Sequence, residues 1–172
     1  EPFLRDAIPQ VLEKQGREPA PELPASHVPV ETQRELGRKL MAAVGYDFNH
    51  GRLDDTTHPF STGSTNDARV TARWDEADFT SGLMAVLHET GHALYEQGLD
   101  HAHRFTPRGA AVSLGVHESQ SRFWENQIGR TPAFWKVVLP WFRSAFPDAP
   151  EFDEHNLNRL ANRVEKGFIR VE

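Results

Sequence analysis

"TSGLMAVLHETGHALYEQG" runs from Thr80 to Gly98 and is the longest uninterrupted helical pattern in the chain. It holds no proline, offers Thr80 or Ser81 as an N-cap, and ends on a glycine stop, so a helix over 80–98 is expected. His88 and His92 are four residues apart, which puts both imidazoles on one face, one turn from each other. Glu89 lies about 100° round the helix from His88. It is poorly placed to share that ligand edge but within reach of a water between the histidines. Two imidazoles plus a glutamate in this spacing make the HExxH pattern: two metal ligands and a general base for a water whose pKa a zinc ion lowers to about 7. The competing reading is two histidines that share a helix face for packing reasons alone.

The rest of the chain frames this helix. Residues 3–16 read as a helix stopped by Gly16, with Pro9 as an expected break. "REPAPELPASHVPVE" (17–31) holds four prolines and reads as an extended loop. "ETQRELGRKLMAAVG" (31–45) is amphipathic, with Leu36, Leu40, Met41 and Val44 on one side. Residues 47–66 are rich in turn formers. "ARVTARW" (68–74) alternates, with Ala68, Val70, Ala72 and Trp74 pointing one way, and predicts a strand. Beyond the central helix, 116–129 reads as a second helix. Thr131 and Pro132 form a cap and first-turn pair for a third, in which Pro140 is an expected kink. Asp153 caps a last helix running toward the end, with Gly167 as an interruption. The expected fold is mainly α, a zincin-type helical metallopeptidase core with a small β-sheet near residues 52–74, over a single domain of 1–172.

Composition narrows the chemistry. The 172 residues carry a formal net charge of −6, which argues against nucleic acid as a partner. No apolar run of about 18 residues stands out, so no membrane span is expected. There is no cysteine, which leaves histidine and carboxylate as the only strong metal ligands. Hydrophobic residues make up 38%, enough for a packed core into which Trp124, Trp135, Trp141 and Phe146 would go.

A catalytic zinc takes three protein ligands and keeps one position open. The extended pattern HExxHxxGxxH fails here, because Tyr95 and Gly98 stand at its glycine and last histidine positions. The other zincin class takes a glutamate from a following helix, and "HESQSRFWEN" supplies Glu118, 26 residues after His92. Glu125, two turns further on, is the alternative. His117 reads as a residue behind the ligands or facing substrate, with a plain surface group as the competing view. A di-iron bundle would need two Glu-x-x-His pairs, and only Glu89–His92 is present. His101 and His103 read as solvated loop residues, and Tyr95 as either an oxyanion donor or packing.

Five motifs in order carry a family resemblance: "HPF" (58–60), "DARVT" (67–71), "HETGH" (88–92), "HESQ" (117–120) and "IRVE" (169–172). Together they resemble the thermostable carboxypeptidase Taq family of metallocarboxypeptidases, with its DxRxT and IRxxAD motifs. The resemblance implies release of C-terminal residues from peptides, a divalent ion that is zinc or sometimes cobalt, and a homodimer; a cytoplasmic location is also expected. It makes His88, His92 and Glu118 the metal ligands and Glu89 the catalytic glutamate. It makes Arg170 the group that forks onto the substrate's terminal carboxylate, and places His58, Asp67 and Arg69 at the border of the site with His117. For Asp67 and Arg69 a salt bridge pinning the strand is the competing role. Family members are much longer. The chain opens on Glu1 and stops at Glu172, where "AD" would follow, so a catalytic-core fragment is expected, active or reduced to a metal-binding module. Trp135, Trp141 and Phe142 are expected to be uncovered by the missing helices.

Overall fold

The computed structural model describes residues 2–24 and 27–165. Six α-helices and three strands run in the order α1 (Pro2–Arg17), α2 (Val30–Ala43), β1 (Leu53–Asp55), β2 (Ser61–Ser64), β3 (Asp67–Ala72), α3 (Phe79–Gln97), α4 (Leu114–Arg122), α5 (Pro132–Ala145) and α6 (Glu154–Asn162). The mainly helical fold with one small sheet agrees with the expectation. Gly167 and Arg170 lie outside the described residues.

Helix α3 is the axis of the molecule. On one side Phe79, Leu83, Met84 and Leu87 join Leu36 and Leu40 of α2, Trp135, Val138 and Phe142 of α5, and Leu157 of α6. Phe152 closes this cluster: its ring centroid is 5.4 Å from Phe142 and 5.7 Å from Phe79. On the other side Val86 and Ala93 pack with Met41, Tyr46, Leu53, Ala68, Val70 and Ala72 against the sheet. Apolar contact on two sides explains why α3 has ten buried residues. What remains for His88 and His92 is the side toward α4.

The sheet has the order β1-β3-β2. β1 runs parallel to β3, with Leu53 opposite Val70, and β2 returns antiparallel, with Ser61 opposite Val70 and Ser64 opposite Asp67. Ala68, Val70 and Ala72 are buried as the alternation predicts, and Thr71 on the opposite side is buried too. Trp74 lies past the end of the strand. It wedges between α2 and α3 at Gly37 and Gly82, and its indole N–H donates to Asp55 at 2.8 Å.

Tyr46 ties α2 to the sheet. Its hydroxyl donates to the Ala68 carbonyl at 2.5 Å, in space that a side chain at position 51 would fill. A Cβ on Gly51 would stand 2.1 Å from that hydroxyl and 2.0 Å from the carbonyl oxygen. Burial, with Asp67 nearby, pushes the Tyr46 phenol up to about 12. A raised folded-state pKa favours the neutral form, so its contribution is intact below the unfolded value of about 10 and is lost as pH climbs to 12. Tyr46→Phe is therefore expected to destabilise by about 1–2 kcal/mol at pH 7, leaving Ala68 unpaired, and by much less at pH 12. Urea melts at the two pH values check this. An equal loss at both would remove the phenol from the account.

Four local expectations are corrected. α3 starts at Phe79 because Asp78, not Thr80 or Ser81, caps it, its carboxylate accepting from the Ser81 N–H at 3.2 Å. Pro9 does not break α1, and Pro140 does not split α5, which is continuous from Pro132 to Ala145. Trp135 and Phe142 are not uncovered: they are 0% and 2% exposed, held by α2, α3 and Phe152, while Trp141 is partly buried beside them. Among the described residues no helix is long and apolar enough to cross a membrane.

Candidate metal centre

The site begins at a glycine. α4, capped by Ser113, crosses α3 at Gly91, where a Cβ would lie 2.6 Å from both the Gln120 carbonyl oxygen and the Ser121 Cα. The two backbones can approach this closely only because position 91 has no side chain. The crossing lays Glu118, two residues before Gln120, against the histidine face of α3.

His88, His92 and Glu118 each offer one ligand atom, and the three atoms lie within 4.8 Å of one another. The Glu118 Oε2 is 3.6 Å from His88 Nε2 and 3.2 Å from His92 Nε2, so both imidazoles present the same nitrogen. Two imidazole nitrogens and one carboxylate oxygen form a donor set of the kind a catalytic zinc takes, with a fourth position left to water or substrate. Glu89 is buried beside His88, at 9% exposure.

The Nδ1 atoms face away from this focus, and each has its own partner. His88 Nδ1 is 2.8 Å from Glu125 Oε2. His92 Nδ1 is 2.6 Å from His117 Nδ1, and His117 Nε2 is 2.9 Å from Glu96 Oε1. Glu125 sits in a π-helical segment, Phe123–Ile128, that continues α4; such wide turns recur at functional sites. The guanidiniums of Arg122 and Arg130 each stand 3.4 Å from its oxygens. Glu118 is itself held by Arg122 at 2.8 Å and by the Ser121 hydroxyl at 3.1 Å.

These neighbours set the protonation states. Burial, followed by the charges of His88 and His117, brings His92 down to about 4, so it is neutral at pH 7 with a lone pair to give. Burial pulls His88 the same way, but Glu125 and the other carboxylates outweigh it and the net shift is upward. Burial would raise Glu118 and Glu125, yet His88 and the flanking groups hold both below the usual range. Both carboxylates are thus ionised at neutral pH, as a cation site requires.

The other anticipated residues lie as follows. His58 is exposed in the loop before β2. That loop is stitched to β3: the Phe60 N–H donates to the Thr71 hydroxyl at 2.9 Å, and the Thr71 N–H to the Phe60 carbonyl at 2.9 Å. The "HPF" and "DARVT" segments are therefore one structural unit. Asp67 and Arg69 pair with each other on the exposed side of the strand, Nε to Oδ1 at 3.0 Å and Nη2 to Oδ2 at 2.7 Å. His101 is exposed, and His103 is 3.8 Å from Asp100. Tyr95 is spoken for, its oxygen accepting from the Val112 N–H and its ring lying 5.0 Å from His117. Glu96 was not anticipated. The signal was available: it stands four residues after His92, one further turn along the same face. It also lines a cavity of about 270 Å³ with Arg104 and the β2–β3 turn.

A sequence profile of the carboxypeptidase Taq (M32) metallopeptidases matches residues 2–172. The chain is 43% identical over 173 residues to thermostable carboxypeptidase 1 of Thermus thermophilus, covering 98% of this chain and 34% of that protein. Its structure superposes on metallocarboxypeptidase 1 of Trypanosoma cruzi with a TM-score of 0.87 at 40% identity, over 96% of this chain and 34% of that one. For the M32 carboxypeptidase of Deinococcus radiodurans the TM-score is 0.85 and the identity 41%, over 96% of this chain and 34% of the other. The chain spans about a third of the length of these relatives.

Proposed function

The chain belongs to the carboxypeptidase Taq (M32) metallopeptidase family, and from that premise we propose that it carries the metal centre and general base of a metallocarboxypeptidase. In this reading His88, His92 and Glu118 hold a divalent ion, Zn²⁺ or Co²⁺. The observation that carries it is the convergence of those three donor atoms within 4.8 Å from two helices, with Glu118 standing 26 residues after His92. The ion supplies Lewis-acid polarisation of a water and of the scissile carbonyl. Glu89 takes the proton of the attacking water and returns it to the leaving amine. Arg170 forks onto the free C-terminal carboxylate of the peptide, a bidentate match that a lysine could not provide. His58 contacts substrate from the exposed loop. Asp67 and Arg69, paired with each other, act on substrate by holding β3 and the Phe60 segment in place. The same reading makes the protein a cytoplasmic homodimer acting on peptides.

The test is release of C-terminal amino acids from N-blocked peptides by the zinc-loaded chain, followed by mass spectrometry. Glu89→Gln is expected to reduce kcat by roughly 10²–10⁴-fold with zinc still bound. Peptides ending in a carboxamide should resist. Their internal cleavage would point instead to an endopeptidase. Because the chain spans only about a third of its relatives, a second outcome is informative: zinc binding without turnover would make this chain the metal-binding part of a larger catalytic unit.

A further inference from the structure

We propose that His117 and Glu96 form a positioning relay that fixes the tautomer and ring orientation of His92, so that its Nε2 lone pair faces the metal. The inference rests on the reading of His92 as a ligand and deepens it.

The argument is one of hydrogen counting. A neutral imidazole carries one N–H and one lone pair, and a ligating nitrogen must be the lone pair. His92 directs Nε2 toward Glu118 and the focus of the site, 3.2 Å from Oε2, so its proton belongs on Nδ1. Nδ1 of His92 lies 2.6 Å from Nδ1 of His117. Two ring nitrogens at that distance share one proton, hence His117 must accept there and carry its own proton on Nε2. That nitrogen faces Glu96 Oε1 at 2.9 Å, and a carboxylate can only accept. Each assignment forces the next, and the chain ends on the one partner type that cannot reverse it. His88 needs no relay: its Nδ1 meets Glu125 directly at 2.8 Å. The two ligands are thus oriented by different devices, one carboxylate in contact and one carboxylate acting through a second imidazole.

The placement has a sequence logic. His117 immediately precedes Glu118 on α4, and Glu96 is one turn past His92 on α3. The relay therefore bridges the same two helices that meet at Gly91. Tyr95 edges onto the His117 ring, with centroids 5.0 Å apart, and keeps it in register. Outer partners of metal-bound histidines typically contribute 10–100-fold in affinity.

The test uses zinc affinity by chelator competition, and proton NMR of the Co²⁺-loaded chain, in which each ligated imidazole N–H gives a shifted, exchangeable signal. Wild type should show two such signals. His117→Ala is expected to raise the zinc Kd about 10–100-fold and to lose one signal to solvent exchange, the His88 signal remaining. His117→Gln, whose amide oxygen can accept the same proton, should restore the signal and most of the affinity. Glu96→Ala should leave both signals but speed exchange of the His92 proton, with a smaller rise in Kd; it also keeps the test available if His117→Ala fails to fold. Both signals retained with a Kd within about twofold of wild type in His117→Ala would overturn the relay. So would a glutamine variant no better than alanine, because a packing role would depend on shape alone. Failure of the underlying metal reading is distinct: wild type would take up no cobalt, or His92→Ala would bind as tightly.

Discussion

Glu118→Ala is expected to weaken zinc binding by about 10²–10³-fold and to leave the metal-free fold nearly as stable as before. The size follows from dividing a protein zinc site's roughly 10–16 kcal/mol among four ligands, which gives about 2.5–4 kcal/mol each, at 1.4 kcal/mol per factor of ten. The fold should tolerate the change because the Glu118 side chain is one-third exposed and, apart from His88 and His92 at the donor focus, its partners are local. Ser121 is three residues away and Arg122 four, on the same helix. The informative comparison is Glu125→Ala. Glu125 is more deeply buried and meets His88 at Nδ1, on the side away from the donor focus. Its loss should weaken metal binding about tenfold through His88 and should also destabilise the apo-protein, because Arg122 and Arg130 both lose an acceptor. Chelator competition and apo thermal melts separate the two. If Glu125→Ala abolished binding while Glu118→Ala kept it, Glu125 would be the third ligand.

That choice shows where the sequence stops speaking. His88, Glu89 and His92 are legible because their relation is internal to one helix, and helical periodicity alone puts both histidines on one face. Glu118 and Glu125 are seven residues apart, so periodicity puts both on nearly one side of the following helix and cannot rank them. Rank comes from the crossing of two helices: it decides which carboxylate meets Nε2 and which meets Nδ1. Glu96 could have been read from its place one turn past His92, but its link through His117 is hidden for the same reason, being a contact between helices. Helix existence was legible from apolar spacing and caps at Thr131 and Asp153. The cap of α3 was not, since Asp78, Thr80 and Ser81 are all competent residues within one turn, and the Asp78 carboxylate reaches the Ser81 N–H. Pro140 read as a kink because proline removes an N–H. It stands exposed on α5, while Trp135, Val138, Leu139 and Phe142 hold the helix to the core, and that tertiary packing outweighs one missing bond. The burial of Phe142 depends on Phe152, whose return over the cluster no local pattern announces.

The sharpest test of how fold and site are joined is Gly91→Ala. In an ordinary helical position glycine to alanine stabilises by about 0.5–1 kcal/mol, by reducing the freedom of the unfolded chain. Gly115 on α4 is such a position, its nearest neighbour being a side-chain oxygen at 3.9 Å, and Gly115→Ala should gain about that much. At position 91 the sign reverses. The new methyl would meet the Gln120 carbonyl oxygen and Ser121 Cα at 2.6 Å, and neither backbone atom can rotate away. Carbon atoms pack best at about 3.5–4.0 Å, so α3 and α4 must part by roughly 1 Å. Overpacking of this kind costs about 1–3 kcal/mol, which for a chain of this size lowers Tm by about 2–12 °C. The consequence for the site is larger than the consequence for the fold. Ligand distances tolerate only about 0.2 Å, and Glu118 rides on the helix that moves. Gly91→Ala should therefore lose both thermal stability and zinc affinity, whereas Glu118→Ala loses affinity alone. An apo-protein as stable as wild type that also bound zinc normally would show that the two helices have slack at their crossing, and the glycine would then have no structural claim on the metal centre.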